Sequence, residues 1–167
     1  MKAILTLLLL GASIITSQAQ NTLTCGNHSI TGVGEKLDSV KYIGRDKKSN
    51  DVTSYYYQFS TETLTIWRAE LENGEPKSIE KTVMNKKDIS TKNVPYLDLF
   101  PASEYEKPIH RIYITCGEGE CMRTESVYSW TSAADVTIST NGFYQVDGAD
   151  KKLQQAFLDK LLAWIKG

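Results

Sequence analysis

Apolar and polar positions alternate along most of this chain with a period of two, the mark of strands that bury one face. Leu37, Ser39, Lys41 and Ile43 fall on one side and Asp38, Val40 and Tyr42 on the other, before Gly44 and a polar loop at 45–51. Residues 52–59 follow, with Thr53, Tyr55, Tyr57 and Phe59 on one face and Ser54, Tyr56 and Gln58 on the other. A third run, 62–71, puts Leu64 and Ile66 on one face and Trp67 on the other. Asn73-Gly74 then carries the strongest hairpin signal, because both residues accept the positive φ of a type I′ turn. A two-residue loop there predicts Glu70 across from Lys77, Arg68 across from Ile79 and Leu64 across from Val83, with the returning strand at about 77–84.

Further strands are predicted at 109–116, at 121–130 after the turn Gly117-Glu118-Gly119-Glu120, and at 136–138 and 143–146 around Asn141-Gly142. Residues 85–108, interrupted by Pro95, Pro101 and Pro108, read as a structured connection with one helical turn. Residues 20–34 show no lasting periodicity and read as a flexible lead-in. At the end the period changes to 3.6. Leu153, Ala156, Phe157, Leu161 and Trp164 recur on one side, with Lys151, Lys152, Gln155, Asp159, Lys160 and Lys166 opposite, predicting a helix over 150–166 capped by Asp147 or Asp150. Burying its large apolar residues contributes roughly 1.5 to 3 kcal/mol each. The expected class is α+β: a mainly antiparallel sheet or open barrel closed by one C-terminal amphipathic helix.

The first residues address the compartment. Met1-Lys2 precedes a run at 3–15 that is apolar except for Thr6 and Ser13, and Ser17-Gln18-Ala19-Gln20 closes it with small residues. That is the layout of a secretory signal peptide at 1–19, shorter than the ~20 apolar residues of a permanent span. The remaining domain, 35–167 behind its lead-in, is expected to be secreted or periplasmic, with no membrane span after cleavage. Cys25 lies ten residues past Ile15, which argues against a lipid anchor. The formal net charge is -1 and the sequence pI about 6.1, so no global field draws the protein to nucleic acid. The chain carries neither a P-loop pattern nor a GxGxxG.

The last sixty residues resemble small PH-like domains of secreted or uncharacterised bacterial proteins, members of the pleckstrin-homology superfold. The resemblance rests on Ile112-Tyr113-Ile114-Thr115-Cys116, on Gly117 to Cys121, and on Leu153-Gln154-Gln155-Ala156-Phe157 with Leu161-Leu162. It implies antiparallel strands in meander order followed by one helix, and no activity, because such domains are scaffolds for lipid, peptide and protein binding alike. Lipid-binding versions carry basic residues in the first hairpin. Arg45, Lys47 and Lys48 stand there, diluted by Asp46 and Asp51, which reads as a solvated turn.

Candidate chemistry is sparse. Cys116 and Cys121 flank a predicted turn and suit a structural disulfide in an oxidising compartment, contributing about 2 kcal/mol for so short a loop. The spacing is not CxxC, and Cys25 is left free, paired with one of these, or linking two chains. His28 and His110 lie outside any metal-ligand spacing, so no metal or cofactor is expected. No GxSxG elbow is present, His110 sits in a strand between Lys107 and Arg111, and Glu118 and Glu120 flank a glycine at a turn tip. The aromatics remain. Tyr55, Tyr57, Phe59 and Trp67 are expected to share one face beneath the helix, which leaves Tyr42, Tyr56 and Tyr128 as candidate surface-binding residues. The reading is a secreted, non-catalytic binding or scaffold domain for a protein or small ligand. The alternatives are a secreted hydrolase inhibitor acting through the braced loop at 116–121, and an enzyme with no familiar motif.

Overall fold

A computed structural model describes residues 21–117, 121–131, 133–139 and 142–167. The predicted signal peptide, Glu118, Glu120 and Asn141 lie outside the described residues. Among the described residues eleven strands and one α-helix are seen: β1 Asn21–Cys25, β2 His28–Val33, β3 Glu35–Tyr42, β4 Asp51–Phe59, β5 Thr63–Glu72, β6 Glu75–Asn85, β7 Tyr96–Phe100, β8 Ile109–Thr115, β9 Met122–Tyr128, β10 Asp135–Ser139, β11 Phe143–Gly148 and α1 Lys151–Lys166. Every pairing is antiparallel. A six-stranded sheet runs β10-β9-β6-β5-β4-β3, a three-stranded one β11-β8-β7, and β1-β2 is a separate hairpin. The described strands form no closed barrel, so the α+β sheet-and-helix class is observed in its open form.

The core lies between the inner faces of the two sheets and α1. The large sheet supplies Tyr55, Tyr57, Leu64, Ile66 and Met84, the small one Ile112, Ile114 and Val146, and the helix Phe157, Leu158 and Leu161. The Phe157 ring meets Tyr57 edge-on at 4.8 Å. Strand alternation therefore does what the sequence predicts for Tyr55, Tyr57 and Phe59. Trp67 does not join them. It pairs with Tyr56, whereas Tyr57 pairs with Ile66, so Trp67 is buried on the opposite face.

That opposite face explains residues 21–34. They are no loose lead-in: the β1-β2 hairpin lies over the back of the large sheet, where Leu23, Ile30 and Tyr56 pack on Cys25, Ala69, Ile79 and Val127. His28 Nε2 donates to the Thr131 carbonyl at 2.7 Å, fixing the hairpin to a loop 103 residues away. The hairpin was illegible because its apolar residues are few and spaced among Asn, Thr and Gly, which suits a cover resting on one side only.

Two other expectations shift. The 85–108 connection contains its predicted helical turn, a 3-10 turn at Lys86–Asp88, and also the unpredicted edge strand β7. The Asn73-Gly74 turn forms with φ of 52° and 87°, and Glu72 and Leu71 face Glu75 and Pro76, as a two-residue loop requires. One step on, the register slips, and Glu70 faces Ser78, Arg68 faces Glu80 and Leu64 faces Met84. Pro76 offers no N–H to a ladder, and a proline inside a sheet is accommodated at a bulge.

The helix begins at Asp150, whose side chain accepts from Lys152 N and Leu153 N. Its own N–H donates to Asp38 on β3 at 2.8 Å. So anchored, α1 turns Gln154, Phe157, Leu158 and Leu161 inward, while Leu153 is 46% exposed and Ala156 is exposed. The buried stripe lies one position from the predicted one because Gly148, lacking a side chain, opens the space that the Gln154 amide fills. Trp164 is half-buried at the edge.

Candidate functional site

Alternating residues of β4 reach into the molecule, and the first three of them, Asp51, Thr53 and Tyr55, line an open cleft of about 250 Å³. It lies where the ends of β3, β4, β5 and β6 meet the small sheet. Tyr42 and Tyr105 form its rim, their rings edge-to-face at 5.6 Å, and Arg68, Glu70 and Asp147 contribute from below.

The polar groups of this cleft are held by one another. Arg68 Nη1 donates to Glu80 Oε2 at 2.9 Å and Nη2 donates to Glu70, whose other oxygen accepts from Ser78 Oγ at 2.9 Å. Across the cleft, Arg111 grips both oxygens of Asp147 at 2.6 and 2.9 Å, with only 14% and 10% of the two side chains exposed. Such a fork-shaped pair fixes geometry as well as charge. Tyr55 is 4% exposed, and burial, reinforced by the Asp147 carboxylate, pushes its hydroxyl well above the ordinary tyrosine value. Beside it, burial pushes Tyr144 up to about 12. The Tyr144 hydroxyl has no partner in hydrogen-bonding geometry; neighbouring Thr82 is engaged with Thr124 at 2.9 Å. Arg68 and Arg111 are held in their charged form by the carboxylates around them.

The predicted surface tyrosines do not assemble. Tyr42 stands at the cleft rim, 37% exposed. Tyr56 is half-buried under the β1-β2 hairpin, and Tyr128 is half-buried beside Trp130, ring centroids 5.0 Å apart. Tyr105, which completes the rim, was missed because it sits in the proline-broken connection, where no periodicity assigns a face. Cys116 and Cys121 form the predicted disulfide, Cα atoms 5.5 Å apart, and Cys25 is free and fully buried. His110 pairs with Leu99 and Gly148 within the small sheet and does not line the cleft. Arg45 and Lys48 are exposed and paired with Glu104 and Asp46 at 2.7 and 3.8 Å, as a solvated loop would be. Among the described residues no group of three metal-ligating side chains occurs, and no helix is long and apolar enough to cross a membrane.

A second surface stands apart from the cleft. On the outer side of the small sheet, Tyr96 stacks on Tyr113 at 5.0 Å and Tyr113 meets Phe143 at 5.9 Å, with Tyr96 and Phe143 more than half exposed. The Arg111 guanidinium lies 4.5 Å from the Phe100 ring centroid on the same sheet. Compared with known proteins, the chain matches no family model, no curated protein and no solved structure.

Proposed function

We propose that this is an exported, non-catalytic binding protein that takes a small polar ligand in the tyrosine-rimmed cleft. The observation that carries the reading is a concave, open space whose rim is aromatic and whose charged groups are fixed by opposite charges. This is how a site preorganised for recognition differs from one poised for proton transfer. Asp147, with both oxygens engaged by Arg111, is badly placed to act as a base. The lining carries four carboxylates, Asp51, Glu70, Glu72 and Asp147, against Arg68 and Lys77, which favours ligands with a cationic group. The disulfide supports export, in keeping with the signal-like first residues. The PH-like comparison rests on the strands-then-helix order alone; β9 beside β6 and β11 beside β8 depart from the meander order it implies, and the β1-β2 hairpin is an addition.

Titrating the protein with spermidine, arginine, glucose and citrate while following the amide resonances of β4 and residues 102–106 tests this. Saturable shifts there, cations before citrate and weakened by Tyr105→Ala, are expected. Silence to all four would leave the second reading, a protein partner on the Tyr96-Tyr113-Phe143 face. The Cys116–Cys121 brace at the end of β8 favours that alternative, including the inhibitor version, because a rigid element loses less entropy on binding.

A further inference from the structure

The same face of β4 that supplies Tyr55 to the cleft supplies Tyr57 and Phe59 to a different pocket, of about 300 Å³, at the far end of the strand. We propose that this pocket is a saccharide subsite for a neutral sugar ring. It is separate from the cleft and does not depend on what the cleft binds.

One wall is aromatic and held in place. Trp164 donates its indole N–H to the Ser60 carbonyl at 2.7 Å, and its ring lies against Phe59 at 5.2 Å with an interplanar angle of 49°. An indole so pinned is a preformed surface, and the C–H face of a sugar would take the place of the Lys86 ammonium, which lies over the ring 5.7 Å from its centroid. The facing wall is polar. Tyr57 donates its hydroxyl proton to Glu35 at 2.8 Å and accepts from Lys160 Nζ at 2.8 Å, and Lys160 lies 3.4 Å from Glu35. Carboxylate and ammonium cancel, so a ligand of either charge meets a like-charged group beside its attracting one, whereas a hydroxylated ring donates to one and accepts from the other. Capacity is left for it. Glu35 keeps one oxygen and the exposed Gln58 its whole amide without a protein partner among the described residues.

Backbone geometry brings these groups together. A Cβ on Gly34 would stand 2.0 Å from the Tyr57 carbonyl oxygen, so only glycine lets β3 start close enough to β4 for Glu35 to reach Tyr57. The volume sits at the lower end of the roughly 300–1,000 Å³ usual for ligand pockets, room for a single ring with the rest of a chain in solvent.

The test is a titration of the full chain with glucose, galactose, N-acetylglucosamine, maltotriose and cellotriose, with glucosamine and glucuronate as charged controls. The readout is the Trp164 indole N–H resonance, assigned by its loss in Trp164→Phe. A saturable shift with at least one neutral sugar is expected, about tenfold tighter than with either charged control and weakened about tenfold in Lys160→Met and in Gln58→Ala, a change of ~1.4 kcal/mol. Gln58→Ala removes an exposed side chain and preserves the fold. Tyr105→Ala, in the cleft, is expected to leave the titration unchanged. No shift with any neutral sugar, equal binding of the charged controls, or binding lost in Tyr105→Ala but retained in Gln58→Ala would each overturn the proposal.

Discussion

Arg68 and Glu80 face each other across the β5-β6 ladder, Nη1 to Oε2 2.9 Å, only because the hairpin slips by one residue between Glu70 and Leu71. Without the slip, Arg68 would meet Ile79 and Glu80 would turn to the back of the sheet, since a one-residue shift exchanges every face. Lys77 is the extra residue of the bulge.

Deleting Lys77 should therefore be tolerated, because it removes the bulge and leaves the register beyond it intact. The losses are the Lys77–Glu72 ion pair at the surface and the Lys77 carbonyl that accepts from Ser129 N, the latter a backbone hydrogen bond of about 1 kcal/mol. Arg68→Ala should cost more, about 2–3 kcal/mol, because Glu70 and Glu80 are left mostly buried without a counter-charge. Urea melts of the two variants check the order; a Lys77 deletion more damaging than Arg68→Ala would contradict the register argument.

Tyr144→Phe should be neutral or stabilising by about 1 kcal/mol at neutral pH, since it removes a buried hydroxyl that bonds nothing. The effect should grow in alkali. An unfolded tyrosine ionises near 10, and Tyr144 in the fold only at about 12. Above pH 10 the unfolded state thus loses its proton first, and stability falls as pH rises towards 12. Thermal melts from pH 8 to 11 should show a shallower decline in Tyr144→Phe than in the wild type; parallel declines would remove Tyr144 from the account.

Strand periodicity made most of the fold legible, as in Val52–Phe59 and Ile109–Thr115, but it failed in β3, where an irregularity between Lys36 and Asp38 lets Leu37 and Val40, assigned to opposite faces, enter one core. What stayed hidden was set by contacts with no local trace. The slip at Pro76 had a signal, a proline two places past the turn, but its size follows from pairing. The rotation of α1 depends on Gly148 and Asp38, far from the helical repeat itself. Of the candidate site, the alternation of Thr53, Tyr55, Tyr57 and Phe59 was readable, and Tyr42 with it. Arg111 and Asp147 were not, because their meeting is a pairing of β8 with β11 across 36 residues.

Gly148→Ala should destabilise by about 2 kcal/mol or more through overpacking. A Cβ there would stand 1.9 Å from Gln154 Nε2 and 2.5 Å from Asp38 Oδ2. Gln154, fully buried, has nowhere to retreat. The double variant Gly148→Ala/Gln154→Ala should recover part of the loss, since Gln154 makes no side-chain hydrogen bond to forfeit. A double variant as unstable as Gly148→Ala alone would show that the clash lies with the Asp38 carboxylate.

Cys25 should resist alkylation by iodoacetamide in the native protein and react on unfolding, because the hairpin covers it completely and burial pushes its thiol upward. Replacing Cys116 and Cys121 together by Ser should cost about 2 kcal/mol and leave the Cys25 protection intact. Rapid native labelling of Cys25 would mean that the hairpin opens.

The tie between His28 and Thr131 has a bearing on how the chain matures. The β1-β2 hairpin emerges well before its seat, which includes Val127, and its latch, Thr131, so it must wait for about a hundred residues before docking. During that wait Leu23 and Ile30 are uncovered and the Cys25 thiol is accessible when Cys116 and Cys121 arrive. In an oxidising medium the five-residue separation of the latter two favours their local closure. The right disulfide is thus selected by proximity, against an arrival order that presents Cys25 first, and the late docking of the hairpin then seals the leftover thiol against exchange.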